Sequence, residues 1–269
     1  MRADQLLVER GLAASRSQAQ RLIASGVRWR LPGVSLAAWR PVAKNGDDLP
    51  AHAELALTDS SETRYVSRGG LKLEAALQTT GLSVQGLRVL DVGQSTGGFT
   101  DCLLQQGAAR VVGVDVGHGQ LHARVRADSR VIAIERCNAR ELTADQLVVR
   151  GGPEASGPFD LIVGDLSFIS QTLVWPALVP LLTSQGQMLM LVKPQFELQP
   201  EHIGKGGLVA DAQSYAQVQE RILQACHAHG LHVQAYFESA ITGGDGNREF
   251  FVWACRSVSS FSPPRRPKA

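Results

Sequence analysis

Hydrophobic positions recur at helical spacing in two short stretches near the start of the chain. Leu6 and Leu7 follow Asp4, a residue suited to capping a helix, and Gly11 suits its end. Ala19, Leu22 and Ile23 then share one face of a second helix, capped by Ser15 and stopped by Gly26. From 27 to 57 the spacing loosens to alternation through Val27, Trp29, Leu31, Leu36, Leu55 and Leu57, which predicts short strands joined by turns at Pro32-Gly33 and Asn45-Gly46. The polar run Thr58 to Thr63 reads as a linker. A helix is predicted after Ser67, with Leu71, Leu73, Ala76 and Leu77. From Arg88 the pattern becomes strand, glycine-rich loop, helix, strand: 88–92, 93–98, 99–106 and 110–116. Further strands are predicted at 131–135, 159–165 and 187–193, and helices at 170–182 and 212–229. Strands 232–240 and 248–255 are close enough to pair antiparallel. Alternating elements of this kind imply an α/β protein with a doubly wound, mostly parallel sheet. The Ser/Pro-rich stretch 257–269 reads as a disordered basic tail.

Charge divides the chain. The net charge is +2, but residues 1–45 carry eight Lys/Arg against two Asp/Glu, a net of +6, and the remainder sums to −4. A basic module ahead of an acidic body is a nucleic-acid cue. Arg2, Arg10, Arg16 and Arg21, with Arg28, Arg30, Arg40 and Lys44, form a candidate phosphate-binding face. Trp29 and Trp39 are available to stack bases, although a half-buried role is the commoner one for such residues. The apolar region 161–192 is broken by Asp165, Gln171, Ser184 and Gln187, so a membrane span is not expected. The start of the chain lacks a signal-peptide core. Four dispersed cysteines without a C-x-x-C pair read as reduced thiols in a cytoplasmic protein, with no metal site.

The chemistry centres on Val89-Leu-Asp-Val-Gly-Gln-Ser-Thr-Gly-Gly98. A strand delivers the chain to a turn whose glycines admit a ligand against the backbone. Asp115 ends the next strand, 22 positions after Gly93, where a carboxylate accepts the hydroxyls of an adenosine ribose. The spacing is G-x-x-x-G-G rather than the G-x-G-x-x-G of dinucleotide sites, and Asp91 suits a cofactor bearing an ammonium and a sulfonium. These features favour S-adenosylmethionine over NAD.

Several further segments carry a resemblance. Tyr65-Val-Ser-Arg-Gly-Gly-Leu-Lys-Leu73, Thr96-Gly-Gly-Phe-Thr-Asp-Cys102, Val114-Asp-Val-Gly-His-Gly-Gln-Leu121 and Asp165-Leu-Ser-Phe-Ile-Ser170 are four of them. Leu191-Val-Lys-Pro-Gln-Phe-Glu197, Gly204-Lys-Gly-Gly207 and Gly246-Asn-Arg-Glu249 complete the set. Together they resemble the TlyA family of ribosomal RNA 2′-O-methyltransferases, often labelled hemolysin A. The match runs in order from residue 2 to about 252. The resemblance implies an alpha-L type RNA-binding domain over 1–58, a linker over 59–64 and an FtsJ-like, Rossmann-like methyltransferase domain with a seven-stranded sheet over 65–256.

By motif, the resemblance places a catalytic tetrad at Lys72, Asp165, Lys193 and Glu249. It implies cofactor contacts at Gly93, Ser95, Gly97, Asp115, Asn138 and Ala139, and adds Arg68 to the RNA-binding arginines. The implied reaction is methyl transfer from S-adenosylmethionine to a cytidine ribose in ribosomal RNA. A ribose hydroxyl needs a base or an orienting donor. Lys193 is expected closest to it, because Pro194 stops the strand there and the side chain faces the ligand crevice. Glu249 pairing simply with Arg248 or Lys205 is the bland alternative. The loop 194–208 reads as a mobile lid. His227, His229 and His232 are expected to complement a helix end.

The departure from the family lies at Val27-Arg-Trp-Arg-Leu-Pro-Gly33, which replaces the usual Val-x-Val-Asn-Gly and bears on local RNA contacts. The short leader before Arg2 resembles the large-subunit enzyme type, so the expected partner is the large ribosomal subunit. The competing classes are a non-catalytic RNA-binding or ribosome-assembly factor and a membrane-lytic hemolysin. The filled tetrad argues against the first. The lack of an apolar or amphipathic insertion segment argues against the second.

Overall fold

The computed structural model describes residues 1–13, 15–33, 38–57, 64–243 and 246–256. The predicted linker, apart from Arg64, and the predicted tail lie outside the described residues. The chain forms two compact units divided between Arg68 and Gly69.

In the first unit, helices α1 (Ala3–Glu9) and α2 (Arg16–Gly26) bury Leu6, Leu7, Ala19 and Leu22 in one cluster with Val27 and Val42. The accompanying strands β1 (Val27–Arg30), β2 (Arg40–Pro41) and β3 (Glu54–Leu57) form an antiparallel sheet in the order β2-β1-β3. Ser15 caps α2 as expected, accepting from the Gln18 N–H at 3.3 Å. Asp4 does not cap α1. The helix begins at Ala3, one residue before it, with Arg2 at its N-cap and the Gln5 and Leu6 amides donating to the Arg2 carbonyl, so Asp4 lies inside the first turn. Asp4 is instead fully buried. It accepts two bonds from Arg2 at 3.0 Å each, one from Arg16 at 3.1 Å and one from Gln20 at 3.4 Å.

The second unit is a seven-stranded sheet built from β4 (Arg88–Val92), β5 (Arg110–Val114), β6 (Val131–Ile134), β7 (Phe159–Gly164), β8 (Leu182–Val192), β9 (His232–Glu238) and β10 (Phe250–Cys255). Their order is β6-β5-β4-β7-β8-β10-β9. The first five pair parallel, and β10 runs antiparallel to both neighbours. The central strands are buried along almost their whole length, as a parallel sheet covered on both faces requires. Its helices are α3 (Arg68–Thr80), α4 (Gly98–Gln105), α5 (Ala123–Arg126), α6 (Ala144–Gly151), α7 (Trp175–Leu178), α8 (Pro194–Glu197) and α9 (Gln213–Ala228). Trp175 and Ile222 join Leu90, Ile162 and Met190 in the main core.

One predicted helix does not form as such. Residues 170–182 make three short pieces: a 3₁₀ turn at Gln171–Leu173, α7, and a second 3₁₀ turn at Val179–Leu181. Pro176 and Pro180 each sit at the start of a piece, where a missing N–H is tolerated, and each interrupts the ladder of a longer helix. The strand after them is longer than expected, starting at Leu182 rather than 187.

Candidate active site

Order reverses at β4: the chain steps from β4 to β5 and β6 on one side, then returns to β7 and β8 on the other. The carboxyl ends of these strands therefore enclose a crevice. It is a cleft of about 490 Å³ lined by Gly93, Ser95, Val114, Asp115, Gln120, Asn138, Ala139, Asp165 and Phe168, among others. That volume lies within the range of small-molecule sites.

The glycine loop leaves β4 with Gly93 at φ +81° and closes with Gly97 at φ +93° as the N-cap of α4. A Cβ on Gly93 would lie 2.9 Å from the Asp165 carbonyl oxygen; one on Gly97 would lie 2.7 Å from Leu121 Cδ1. The turn thus needs glycine for conformation and for space. Asp115 ties the loop to the next strand, accepting from the Ser95 N–H at 2.7 Å and the Gly117 N–H at 2.6 Å. Asn138 caps a 3₁₀ turn at Ala139–Glu141 by accepting from the Arg140 N–H. All six expected cofactor residues therefore lie around this loop, and five of them line the cleft.

Asp91 is fully buried beneath the loop. Its Oδ2 accepts from Thr100 Oγ1 at 2.6 Å, and Thr100 accepts from Gln94 at 2.8 Å. Its Oδ1 has no hydrogen-bond partner among the described residues. Burial pushes this carboxyl up to about 7, with the Asp165 charge adding to the rise. An orphaned acidic oxygen under a glycine cradle suits a cationic, ammonium-bearing ligand, so the residues present fit S-adenosylmethionine. Gln94 packs where a Cβ on Gly113 would stand 2.0 Å from its side chain. Sequence reading missed this Gln94–Thr100–Asp91 chain, because only the fold brings a loop residue over the next strand.

The four tetrad residues come together as two lysine–carboxylate pairs. Asp165 follows β7, and Lys193 follows β8. The Lys193 Nζ lies 2.6 Å from Asp165 Oδ1 and donates to Ser167 Oγ at 2.9 Å. Glu249 arrives from the opposite direction. Because β10 is antiparallel to β8 and Phe250 pairs with Val192, the residue before Phe250 lies beside Lys193. Lys72, on α3, donates to Glu249 Oε2 at 2.5 Å. Lys72 is only 7% exposed, unlike the usual helical lysine, and its partner is Glu249. Arg248 pairs instead with Glu238. Burial raises the Glu249 carboxyl, while Lys72 and then Lys193 oppose that rise.

Phe168 is a functional candidate that the sequence did not single out. It is 91% exposed, holds φ +64° and lines the cleft, with its ring 5.1 Å from that of Phe196. A large exposed apolar side chain in a left-handed backbone conformation is strained, and such strain concentrates at functional sites. The expected lid is pinned in this structure: Ile203 bridges Val209, and Asn247 accepts from the Val209 N–H and donates to the Gly207 carbonyl.

The candidate RNA arginines differ in their surroundings. Arg2 and Arg16 grip Asp4, and Arg10 donates to the Ala51 carbonyl at 2.6 Å. Arg68 opens α3. The Arg21 side chain lies outside the described residues. Arg30 stacks over Trp39, and Arg40 over Trp29. Among the described residues, no helix is long and apolar enough to cross a membrane.

A doubly wound seven-stranded sheet, a glycine-cradled cleft at its switch point and a lysine–carboxylate rim define a Rossmann-like methyltransferase. The FtsJ-like methyltransferase family model matches residues 65–256. The chain is 42% identical over 253 residues to the 16S/23S rRNA (cytidine-2′-O)-methyltransferase TlyA of Mycobacterium tuberculosis, covering 94% of this chain and 88% of that one. It is 31% identical over 195 residues, 70% of each chain, to the 23S rRNA (cytidine-2′-O)-methyltransferase TlyA of Campylobacter jejuni. A solved structure from Streptococcus thermophilus, described as a candidate hemolysin, is 37% identical with a TM-score of 0.71, covering 96% of this chain and 89% of that one. The chain belongs to the TlyA family of FtsJ-like methyltransferases.

Proposed function

We propose that this protein methylates the ribose 2′-hydroxyl of a cytidine in ribosomal RNA, with S-adenosylmethionine as donor. The observation that carries the reading is the pair of lysine–carboxylate contacts, Lys193 with Asp165 and Lys72 with Glu249, beside a glycine-cradled cleft. When bound, S-adenosylmethionine supplies a methyl group on a cationic sulfonium. Gly93, Ser95, Gly97, Asp115, Asn138 and Ala139 would hold it, with the buried Asp91 beneath the loop as a counter-charge for a cation.

The chain's own task is to orient a weak nucleophile and take up its proton. Lys193 presents N–H donors at the cleft rim, where they fix the hydroxyl oxygen and spread the charge that develops there. Lys193 hands one of its protons to the Asp165 carboxylate as it takes the hydroxyl proton in its place. Lys72 and Glu249, buried behind them, set the position of Lys193 by charge. Alignment for in-line displacement accounts for most of the acceleration. The exposed Phe168 ring offers a stacking face for the target base.

Residues 1–58 are the proposed RNA-binding domain and 65–256 the catalytic one. Arg2 and Arg16, ordered by Asp4, with Arg10 and Arg21 from this domain and Arg68 from the catalytic one, are the proposed RNA backbone contacts. The proposed substrate is large-subunit RNA, since both named relatives act on 23S rRNA, and the proposed compartment is the cytoplasm. Tritium transfer from labelled S-adenosylmethionine to ribosomal RNA and separate subunits tests the reading. Equal incorporation by wild type and Lys193→Ala refutes the assigned chemistry, and label on a base rather than a 2′-oxygen refutes the reaction type.

A further inference from the structure

The geometry points to Glu197 as a positioning residue for methyl transfer: a buried carboxylate that fixes the loop carrying Asp165, Ser167 and Phe168 against the segment carrying Lys193. This rests on the reading of the site given above.

Glu197 closes the Lys-Pro-Gln-Phe-Glu motif and is 4% exposed. Its Oε2 accepts from Ser170 Oγ at 2.5 Å, and its Oε1 accepts from the Gln171 N–H at 2.8 Å. Arg221, from α9, donates to the Glu197 carbonyl at 2.7 Å, and its Nε stands 3.9 Å from Oε2. The Gln171 side-chain amide continues the connection by donating to the Leu191 carbonyl in β8. One carboxylate thus joins the loop after β7 to the end of β8, with α9 as backing.

The same two segments touch twice more, closer to the cleft. Lys193 donates to Ser167, and the Phe196 ring meets Phe168. The three contacts run in register, from Lys193 with Ser167, through Phe196 with Phe168, to Glu197 with Ser170 and Gln171. The outermost contacts face solvent, where water competes for hydrogen bonds and a ring as exposed as Phe168 is held on one side only. Glu197 is the buried end of the series, where its bonds are shielded from water.

Stability alone does not explain a carboxylate there. Burial pushes the Glu197 carboxyl up, against the opposing pull of the Ser170 and Gln171 hydrogen bonds and the Arg221 charge, so the site carries a desolvation cost that an ordinary core position would not. What the carboxylate adds is direction: two acceptors aimed at two donors on one loop. Nor is Glu197 a catalytic residue. Both oxygens are engaged, by the Ser170 hydroxyl and the Gln171 N–H, which leaves neither for the reacting groups.

The test uses the full chain with Glu197→Ala, Glu197→Gln and Ser170→Ala. Hydrogen exchange of residues 166–173 is expected to quicken at least tenfold in Glu197→Ala, with strands β4 and β5 unaffected. This readout does not depend on the substrate. With ribosomal RNA, Glu197→Ala is expected to lower kcat about 100-fold, the penalty of roughly a 1 Å misplacement. KM for RNA and the Kd for S-adenosylmethionine should stay within about threefold. Glu197→Gln keeps an acceptor for the Gln171 N–H and should recover activity to within about tenfold of wild type. Should the alanine variant fail to fold, the glutamine and Ser170→Ala variants carry both measurements. Unchanged exchange over 166–173 overturns the proposal even if the wild type proves inactive on RNA. Loss of kcat, KM and cofactor affinity together with a lowered thermal midpoint also overturns it, since that is the pattern of a merely structural residue. A wild type that methylates no RNA overturns the functional reading and leaves the exchange result to decide on Glu197.

Discussion

Lys72 and Glu249 lie 177 positions apart in sequence, and their charged ends meet at 2.5 Å with 9% and 3% of their side chains exposed. Lys193 and Asp165 make the corresponding pair at the cleft rim, at 2.6 Å. The first pair is set in the protein and the second opens to the substrate, so the two should respond differently to mutation.

Removing the buried pair one partner at a time should destabilise strongly. Glu249→Ala strands the Lys72 ammonium in a dry site, a loss of about 3–5 kcal/mol. The double replacement Lys72→Met with Glu249→Leu should restore most of that stability while leaving the protein inactive. Urea denaturation of the two singles and the double gives the comparison.

Lys193→Ala, by contrast, should fold normally and bind S-adenosylmethionine within about twofold of wild type. Its kcat should fall by roughly 10²–10⁴, the range for loss of a proton-handling group. Calorimetry of cofactor binding alongside single-turnover methylation separates the two effects.

Asp91 should make cofactor binding depend on pH near neutrality. Its carboxyl is raised to about 7 by burial, and only the ionised form attracts an ammonium. Affinity should therefore climb by roughly tenfold between pH 6 and 8, and Asp91→Asn should flatten that rise. The apo protein should show the opposite trend. A carboxyl raised on folding contributes stability below the ordinary carboxylate range, and that contribution is lost as pH rises through about 7. Asp91→Asn should consequently melt higher than wild type at pH 8.

Deleting residues 1–58 should weaken RNA binding far more than cofactor binding. The basic excess is concentrated in the first 45 residues, so the truncated chain should also show a shallower dependence of RNA affinity on salt. Filter binding across a salt series measures both.

Much of this was legible in the sequence for definite reasons. Fully buried parallel strands read as apolar runs, and the glycines at 93 and 97 stand where φ is positive. Motifs at strand ends reported the site because the ends of parallel strands share one edge. Other features depended on partners far along the chain. Asp4 resembled a helix cap by position, yet the helix starts at Ala3, one residue before it, with Arg2 at its N-cap, and the Leu6 amide already donates to the Arg2 carbonyl. Lys72 was legible only through the family motif, since its buried partner Glu249 is brought to it by β10. The stretch 170–182 had helical periodicity, and its prolines divided it. Phe168 and Glu197 stand within motifs that carried the resemblance, but no role could be read for either, since exposure in one and burial in the other are set by packing.

The position of β10 between β8 and β9 also orders events during synthesis. Until residues 250–255 emerge, the apolar edge of β8 has no neighbour on that side, and Lys72 has no counter-charge. The strand that closes the sheet is the one that delivers Glu249. A nascent chain that has completed the cofactor cleft therefore still lacks one member of the proposed tetrad, and sheet completion and tetrad assembly arrive in a single late step.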